Sequence, residues 1–316
     1  MQYRKLGQSS IEIAPIVFGG NVFGWTADEQ QSFKLLDALV DLGINMVDTA
    51  NVYSAWAPGH VGGESESIMG RWFAKSGKRD KVVVATKVGM PMGDGSEGLK
   101  KDYIIKSAEE SLKRLQTDHI DLYYAHKDDT NTPLEETLGA FETLIKDGKV
   151  GAIASSNYSA ERLSEALKVA KAENLPQYIA HQPEYNLFDR AGYESALEKV
   201  CQQNELGVVT YFSLASGFLS GKYHSKADLE KSQRKDFLGK YMTPRGEQIL
   251  AALAKVADAH QVPMATVALA WIMHRPSVTA PIASATSISQ LEQLAQAATL
   301  SLSDEDMSAL NEASNE

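Results

Sequence analysis

Cysteine is almost missing from this sequence. The 316 residues include a single cysteine, Cys201, so neither an intrachain disulfide framework nor a cluster of thiolate metal ligands can form. The seven histidines show neither the H-x-H nor the H-E-x-x-H spacing of a metal site. We therefore expect no structural disulfide and no bound metal, and a reducing compartment is the simplest setting for such a chain.

Basic charge and long apolar runs are also scarce. Lysine and arginine number 31 against 41 aspartates and glutamates, which gives a formal net charge of −10. That sign disfavours a nucleic-acid partner and disfavours adsorption to an anionic membrane surface, since both bind positive charge. No apolar run approaches the length of a membrane span, and residues 1–7 lack the apolar core of a signal peptide. These features predict a cytoplasmic protein with neither a nucleic-acid nor a membrane partner.

What the sequence does contain is a regular alternation of strand-like and helix-like segments. Short apolar runs, several of them β-branched, each precede a segment with helical features; the first helix is expected to begin at a capping box formed by Thr26 and Glu29. A polar stretch at residues 222–240 interrupts the pattern before the last units. The eight predicted strands are residues 14–18, 44–48, 81–87, 120–124, 150–154, 178–182, 208–211 and 278–282.

The alternation predicts an α/β fold, a single (β/α)8 TIM barrel over residues 1–316. Repeated βα units imply parallel strands with right-handed crossovers, and eight units close into a barrel. No shift in composition marks a second domain. The rival architecture is a doubly wound open sheet, which would need a glycine-rich G-x-G-x-x-G dinucleotide turn, and we expect no such turn anywhere in this chain.

Titratable side chains stand where consecutive predicted strands end. Asp48 ends the second strand and Lys87 the third, while His126 follows the fourth; Lys87 is as far from Asp48 as His126 is from Lys87, one βα unit each. Tyr53 follows Asp48 in the next loop. In a βα barrel the carboxyl ends of the strands form one rim, and chemistry is located there. We therefore expect these four side chains to converge.

Such a group of residues suits carbonyl reduction. A lysine at the end of an apolar strand is costly unless it is paired, and Asp48 is the available partner for Lys87. A cation beside a tyrosine favours the phenolate, so the pKa of Tyr53 is expected below its ordinary value of about 10. Tyr53 could then donate a proton to a carbonyl oxygen that His126 orients. Taken singly, each residue is more often structural, as an ion pair or a packed histidine, but four such residues on one rim at equal spacing are much less expected by accident.

Other chemistries fit the strand ends less well. A glycosidase would need two carboxylates flanking the sugar bond, yet the seventh strand ends in Y-F-S-L, which contains no acid. A metal-dependent hydrolase would need the histidine spacings that the sequence lacks. An alternative of another class stays open: a sensor or regulatory barrel that turns over little substrate.

The sequence resembles the aldo-keto reductases over nearly its whole length. The resemblance is closest to the bacterial aryl-alcohol-dehydrogenase-like and potassium-channel-β-like branch. The matching motifs are V-D-T-A-N-V-Y-S (47–54), A-T-K-V-G (85–89), I-D-L-Y-Y-A-H (120–126), S-S-N-Y (155–158), Q-P-E-Y-N (182–186), L-A-S-G-F-L-S-G-K-Y (214–223) and Q-L (290–291).

The resemblance implies a role for each matching position. Tyr53 would be the general acid and base, Lys87 and Asp48 would tune it, and His126 would polarise the carbonyl. Ser156, Asn157 and Gln182 would bind the nicotinamide carboxamide, with Tyr211 stacked on the ring. The turn at Ala215 and Ser216, with Lys222, would hold the pyrophosphate, and Arg234 would meet a 2′-phosphate. The full set of implied cofactor contacts is Gly20, Asn21, Asp48, Ser156, Asn157, Gln182, Tyr211, Phe212, Ser213, Leu214, Ala215, Ser216, Lys222, Arg234, Ser284, Thr286, Gln290 and Gln293.

Two cofactor segments depart from the family pattern. The family usually has Ser-Pro where this chain has Phe212 and Ser213. After the eighth strand it commonly has basic residues and an acid–Asn pair, where this chain has Thr286, Gln290 and Gln293 followed by leucine. A 2′-phosphate would then depend on Arg234, so NADP(H) is favoured and NAD(H) stays open.

Aromatic residues predict the kind of substrate. Phe23 and Trp25 lie in the first βα loop, and Trp56 lies just after Tyr53. Aromatic walls favour aromatic or apolar aldehydes and ketones as the small-molecule carbonyl partner. Loop tryptophans are equally common as packing anchors. The sequence leaves self-association open.

Overall fold

The computed structural model describes residues 1–223 and 238–315 of the chain. Eight strands form a closed barrel in which each neighbouring pair is parallel, which confirms the predicted (β/α)8 fold. The barrel runs β10-β3-β4-β5-β6-β7-β8-β9 and closes between β9 and β10. The strands are β1 Arg4–Lys5, β2 Glu12–Ile13, β3 Val17–Gly19, β4 Met46–Asp48, β5 Val83–Val88, β6 Ile120–Ala125, β7 Val150–Ser156, β8 Ala180–Gln182, β9 Gly207–Thr210 and β10 Ala280–Ala283.

Helices surround the barrel and cover its outer face. In chain order they are α1 Glu29–Asp41, α2 Glu64–Ser76, α3 Lys101–Leu115, α4 Leu134–Lys146, α5 Ala160–Ala172, α6 Ala191–Glu194, α7 Leu197–Gln203, α8 Pro244–His260, α9 Met264–Met273, α10 Ile288–Ala297 and α11 Asp304–Ala313. Short 3-10 segments occupy Gly20–Val22, Arg79–Lys81, Ala215–Ser220 and Gly239–Tyr241.

Several boundaries differ from the prediction. The capping box at Thr26 and Glu29 is wrong, because the carboxylate of Asp28 accepts the hydrogen bond from Gln31 N and Asp28 is therefore the N-cap of α1. The predicted helix at residues 192–203 is two short helices, α6 and α7. The prediction also missed α11, although Ser303 and Asp306 form a capping box at its start.

A two-stranded hairpin that the prediction missed closes the amino-terminal mouth of the barrel. β1 pairs with β2 in antiparallel fashion, and the fully buried Leu6 and Ile13 join the inner core. The Arg4 guanidinium donates hydrogen bonds to the carbonyl oxygens of Met273 and Thr279. We therefore expect the functional site at the opposite, carboxyl-terminal mouth of the barrel.

Strand alternation sets which residues reach that mouth. The inner core contains Met46, Ala85 and Ala180, all fully buried. Successive strand side chains point to opposite faces, so a residue two positions further along faces the interior again. This rule brings Asp48, Lys87 and Gln182 into the barrel at the ends of β4, β5 and β8. Tyr124, Ala154 and Val209 also belong to the inner core. The residues two positions after them, which are expected to face the interior as well, are His126, Ser156 and Tyr211.

Candidate active site

The predicted lysine–aspartate pair exists and is buried. Lys87 Nζ lies 2.5 Å from Asp48 Oδ1, and both side chains are almost completely excluded from solvent. Lys87 Nζ also donates to the Thr49 carbonyl and to Tyr53 Oη, each at 2.9 Å. All three ammonium protons therefore have acceptors, which is the condition for keeping a charged lysine inside a barrel.

Tyr53 completes this cluster from the loop after β4. Its hydroxyl donates to Asp48 Oδ1 at 3.0 Å while accepting from Lys87, and the Lys87 ammonium lies 4.5 Å from its ring centroid. The loop is held in place on both sides. Ser54 Oγ donates to the Phe23 carbonyl, and the Thr49 hydroxyl shares a hydrogen bond with Ser65, the second residue of α2. The phenol is thus fixed between an acid and an amine.

The direction of the Tyr53 pKa differs from the sequence expectation. Burial and the Asp48 carboxylate raise the pKa of Tyr53 well above 10, where a lowered value was expected. The physical reason is that burial disfavours the phenolate, and that the charge of Asp48 and its hydrogen bond from the phenol disfavour it further. Burial lowers the pKa of Lys87, and the neighbouring Asp48 opposes that effect. The phenol consequently stays protonated at neutral pH, in the form that can donate a proton.

His126 stands beside the phenol in its neutral form. Its ring centroid lies 6.1 Å from that of Tyr53, and burial, with the charge of Lys87, holds its pKa well below 6.5. Its Nδ1 is buried and finds no hydrogen-bond partner in the described part of the chain. An unpaired acceptor is tolerated in a core better than an unpaired N–H. We therefore place the imidazole proton on Nε2.

The residues expected to hold a nicotinamide lie side by side at the ends of β7, β8 and β9. Ser156 Oγ donates to the Gln182 carbonyl at 2.8 Å, and Gln182 Nε2 donates to Asp48 Oδ2 at 2.8 Å. Tyr211 Oη donates to Asn157 Oδ1 at 2.7 Å, and Asn157 Nδ2 donates to the His126 carbonyl at 2.9 Å. Amide, hydroxyl and aromatic groups thus adjoin the acid–amine cluster, which fits a planar amide-bearing ring.

The turn after β9 has the backbone shape of an anion site. Phe212, Ala215 and Ser216 have positive φ angles of 52°, 49° and 57°, and Gly217 follows at 97°. Such left-handed residues cost of order 1 kcal/mol each. Inside the turn, Ala215 N donates to the Phe212 carbonyl and Gly217 N donates to the Leu214 carbonyl, so these two N–H groups are already used. Lys222 lies against Gly217, since a Cβ added to that glycine would come within 3.5 Å of Lys222 Nζ. The Lys222 ammonium is thus the charged group beside the turn where the family resemblance implies a pyrophosphate.

Other residues of this turn that were predicted to contact the cofactor make hydrogen bonds within the turn itself. Ser213 is buried, and its hydroxyl donates to the Thr210 carbonyl at 3.0 Å. Phe212 exposes 43% of its surface, whereas the Leu214 carbonyl accepts from Gly217 N inside the turn. The Ser213 hydroxyl and the Leu214 carbonyl are therefore already used inside the turn, and both residues stay predictions as cofactor contacts.

The far side of the rim carries the residues expected near the adenosine. Ser284 Oγ donates to the Gly19 carbonyl and hydrogen-bonds Asn21 Oδ1 at 2.7 Å, next to Gly20. Gln290 Oε1 accepts from both the backbone N and the hydroxyl of Thr286, at the start of α10. Gln293 lies one turn further along that helix. Arg234 lies outside the described residues.

The aromatic residues divide into two groups. Trp56 packs edge-on against Trp25 with ring centroids 5.6 Å apart and against Tyr53 at 5.9 Å, and it is 48% exposed. These two tryptophans line the approach to the phenol. Phe23, by contrast, is fully buried and stacks on Phe18, so as a substrate contact that prediction is contradicted. The reason is that its ring anchors the loop from inside the core.

The expectation that the chain contains no G-x-G-x-x-G run is wrong, because one run has the glycine spacing of a dinucleotide turn. Residues 93–98 have the G-x-G-x-x-G pattern and lie between β5 and α3. Their last glycine faces the Asp129 carboxylate, which also accepts from Leu99 N at 2.9 Å. A carboxylate at that place repels phosphate, so this run is a poor dinucleotide turn.

Two features are absent from residues 1–223 and 238–315. No three or more histidine, cysteine, aspartate or glutamate side chains there are grouped so that they could hold a metal ion. No helix in the same ranges has the length and apolar character needed to cross a membrane.

Comparison with known proteins identifies the relatives of this chain. A family model described as the Aldo/keto reductase family matches residues 15–315. The uncharacterized oxidoreductase YrpG of Bacillus subtilis is 36% identical, over 99% of this chain and 95% of the relative. A probable voltage-gated potassium channel subunit beta of Arabidopsis thaliana is 32% identical, over 93% and 90%. The L-glyceraldehyde 3-phosphate reductase of Escherichia coli is 31% identical, over 94% and 87%.

Proposed function

The chain belongs to the aldo/keto reductase family, and on that premise we propose that it reduces aldehydes and ketones to alcohols with Tyr53 as the proton donor. One observation carries the proposal: the Tyr53 hydroxyl lies between the Lys87 ammonium and the Asp48 carboxylate at the carboxyl-terminal mouth of the barrel. A bound nicotinamide cofactor would supply the hydride that reaches the carbonyl carbon. Tyr53 donates its proton to the carbonyl oxygen, and in the reverse direction takes it back.

The neighbours of Tyr53 prepare that proton transfer. Lys87 donates a hydrogen bond to Tyr53 Oη, so it stabilises the phenolate that forms when the proton leaves. Neutral His126 offers Nε2–H to the substrate oxygen and directs it toward the phenol. Because His126 cannot take up a proton near neutral pH, Tyr53 is the acid in this cluster.

Cofactor binding is assigned to the rim of β7, β8 and β9. Ser156, Asn157 and Gln182 would hold the carboxamide, Tyr211 would cover the ring, and the turn at Ala215–Ser220 with Lys222 would hold the pyrophosphate. We favour NADP(H) over NAD(H) on the family pattern. The sequence position that would decide this, Arg234, lies outside the described residues.

The substrate proposal rests on the two tryptophans. Trp25 and Trp56 form an apolar wall beside the phenol, which favours aromatic or apolar carbonyl compounds. The acidic net charge and the single cysteine support a cytoplasmic setting for this activity.

A second function has a specific observation behind it. The relative from Arabidopsis thaliana is named as a probable potassium channel subunit beta, so a regulatory barrel that binds cofactor with little turnover is the alternative. All four positions of the acid–amine–phenol–imidazole cluster are occupied here, which supports catalysis.

Cofactor oxidation with a panel of aromatic and aliphatic aldehydes separates the two functions. We expect turnover that falls in Tyr53→Phe by about 10²-fold or more while cofactor affinity survives. Cofactor binding with no turnover of any carbonyl compound in the wild-type protein would favour the regulatory barrel.

A further inference from the structure

The two oxygens of the Asp48 carboxylate have different partners. Asp48 Oδ1 accepts from both Lys87 Nζ and Tyr53 Oη, whereas Oδ2 accepts from Gln182 Nε2 at 2.8 Å. A carboxylate can only accept hydrogen bonds, so the Gln182 amide must turn its NH2 group to Asp48. Its Oε1 is then directed away from the carboxylate.

This contact lies in a closed environment. Asp48, Lys87 and Gln182 are 1%, 0% and 2% exposed, so water does not replace a lost donor. If the Gln182 donor were absent, Oδ2 would be a buried unpaired charge-bearing atom and would compete with Oδ1 for Lys87 or Tyr53. The position of Oδ1 between amine and phenol therefore depends on the amide that occupies Oδ2.

We propose that Gln182 is a positioning residue for the proton donor, which acts by holding Oδ2 of Asp48 so that Oδ1 serves Lys87 and Tyr53 together. The inference rests on the proposed function and adds to it. The same amide that the sequence assigns to the carboxamide also orients the acid–amine–phenol cluster, so one side chain joins cofactor binding to proton donation.

The substitution Gln182→Glu separates the two roles. In its protonated form the introduced carboxyl group keeps both features of the amide, a donor toward Asp48 and a carbonyl oxygen at the other end. In its ionised form it keeps an acceptor for a carboxamide but sets a second carboxylate against Asp48. The titratable groups facing this place are Asp48 on β4, Tyr53 in the loop after it, Lys87 on β5, Tyr124 on β6, His126 after β6 and Tyr211 after β9.

The kinetic test is the pH profile of carbonyl reduction by Gln182→Glu at saturating cofactor. We expect a rate close to wild type at about pH 5 and a loss of about tenfold or more toward pH 8, as the introduced carboxyl group ionises against Asp48. Gln116→Glu is the control for the added carboxyl group itself, since Gln116 is an exposed residue at the end of α3. A Gln182→Glu profile parallel to wild type, or one that Gln116→Glu reproduces, would overturn the proposal.

A second measurement needs neither cofactor nor turnover. Burial beside Asp48 raises the pKa of the introduced carboxyl group in the folded state, so its stabilising protonated form is lost as pH rises through that pKa. The unfolding midpoint of Gln182→Glu should therefore match wild type at low pH and fall behind it as pH increases. A constant difference at all pH values contradicts the contact. If the wild-type protein reduces no carbonyl compound, the proposed function fails while this profile still decides the contact.

Gln182→Met provides the variant that does not depend on titration. It keeps the length of the side chain and removes the donor. At saturating cofactor we expect kcat to fall by about tenfold or more. A variant that raises only the cofactor dissociation constant and leaves kcat unchanged would reduce Gln182 to a cofactor contact.

Discussion

Tyr53 Oη lies 2.9 Å from Lys87 Nζ and 3.0 Å from Asp48 Oδ1. Burial of the phenol raises the pKa of Tyr53, and the charge of Asp48 and its hydrogen bond with the phenol raise it further, so the phenol stays protonated. The Lys87 ammonium therefore stabilises the phenolate only when Tyr53 gives up its proton. This relationship sets the expected behaviour of the site.

Removing the amine should damage both stability and activity. Lys87→Met leaves the Asp48 carboxylate buried without its cation, which costs about 3–5 kcal/mol of unfolding free energy. In Lys87→Met/Asp48→Leu the lone charge is gone, so we expect much of that stability to return while turnover stays lost. Urea unfolding of wild type, both single variants and the double variant measures the coupling. A double variant as unstable as the sum of the singles would contradict a paired charge.

Lys222 should contribute to binding of the phosphate groups. Its ammonium lies beside Gly217 in the turn of left-handed residues after β9, and its side chain is exposed. We expect Lys222→Met to weaken NADPH binding by about tenfold and to reduce its salt dependence. Lys113→Met, at the exposed end of α3, is the control. Equal affinities in a fluorescence titration of both variants would remove Lys222 from the cofactor site. Titration of NADH alongside determines the cofactor preference.

The buried imidazole of His181 should make the folded protein less stable in acid. It lies outside the candidate site, is fully buried with Ser155 as its partner, and burial lowers its pKa to about 3. Between pH 6.5 and 3 the His181 imidazole is protonated in the unfolded chain and neutral in the folded chain. The free energy of unfolding therefore falls as pH decreases. At pH 4.5 this residue alone should cost about 2–3 kcal/mol relative to about pH 8.

His181→Gln should remove that part of the pH dependence. Chemical unfolding of both proteins at a series of pH values gives the comparison. Identical pH slopes in the variant and the wild type would show that His181 is not the buried neutral group described here.

Two helix glycines should respond to alanine in opposite directions. A Cβ on Gly70 in α2 would lie 2.1 Å from the Arg114 carbonyl oxygen, whereas one on Gly139 in α4 meets no atom within 4 Å. Gly139→Ala should stabilise the fold by up to about 1 kcal/mol, because alanine suits a helix interior better than glycine. Gly70→Ala should destabilise it by about 1–3 kcal/mol through overpacking. Thermal unfolding of the two variants checks the signs; stabilisation by both would refute the close approach of α2 and α3.

The sequence predicted those parts of the site that follow from the regular repeat of βα units. Asp48, Lys87 and His126 stand one βα unit apart, each at the carboxyl end of a strand. Strand alternation turns each side chain toward the barrel interior at that mouth. Spacing alone therefore brought them together. The barrel itself followed from the same regularity, since eight alternating units leave few other arrangements.

What the sequence did not predict depends on distances between remote residues. Gln182 and Asp48 are 134 positions apart, so their hydrogen bond has no signal in local sequence. The direction of the Tyr53 pKa depends on how deeply the phenol is buried and on its contact with Asp48, and residue spacing determines neither. Phe23 looked like a substrate contact because loops at the mouth carry function, yet its ring turned inward onto Phe18.

Single-turnover hydride transfer as a function of pH tests the protonated phenol most directly. With Tyr53 protonated well beyond pH 10, carbonyl reduction should be independent of pH from about 6 to about 10. Alcohol oxidation needs the rare phenolate, so its rate should rise about tenfold per pH unit through that range without a plateau. A plateau in oxidation at a pH below 10 would show an acidified phenol and contradict the account.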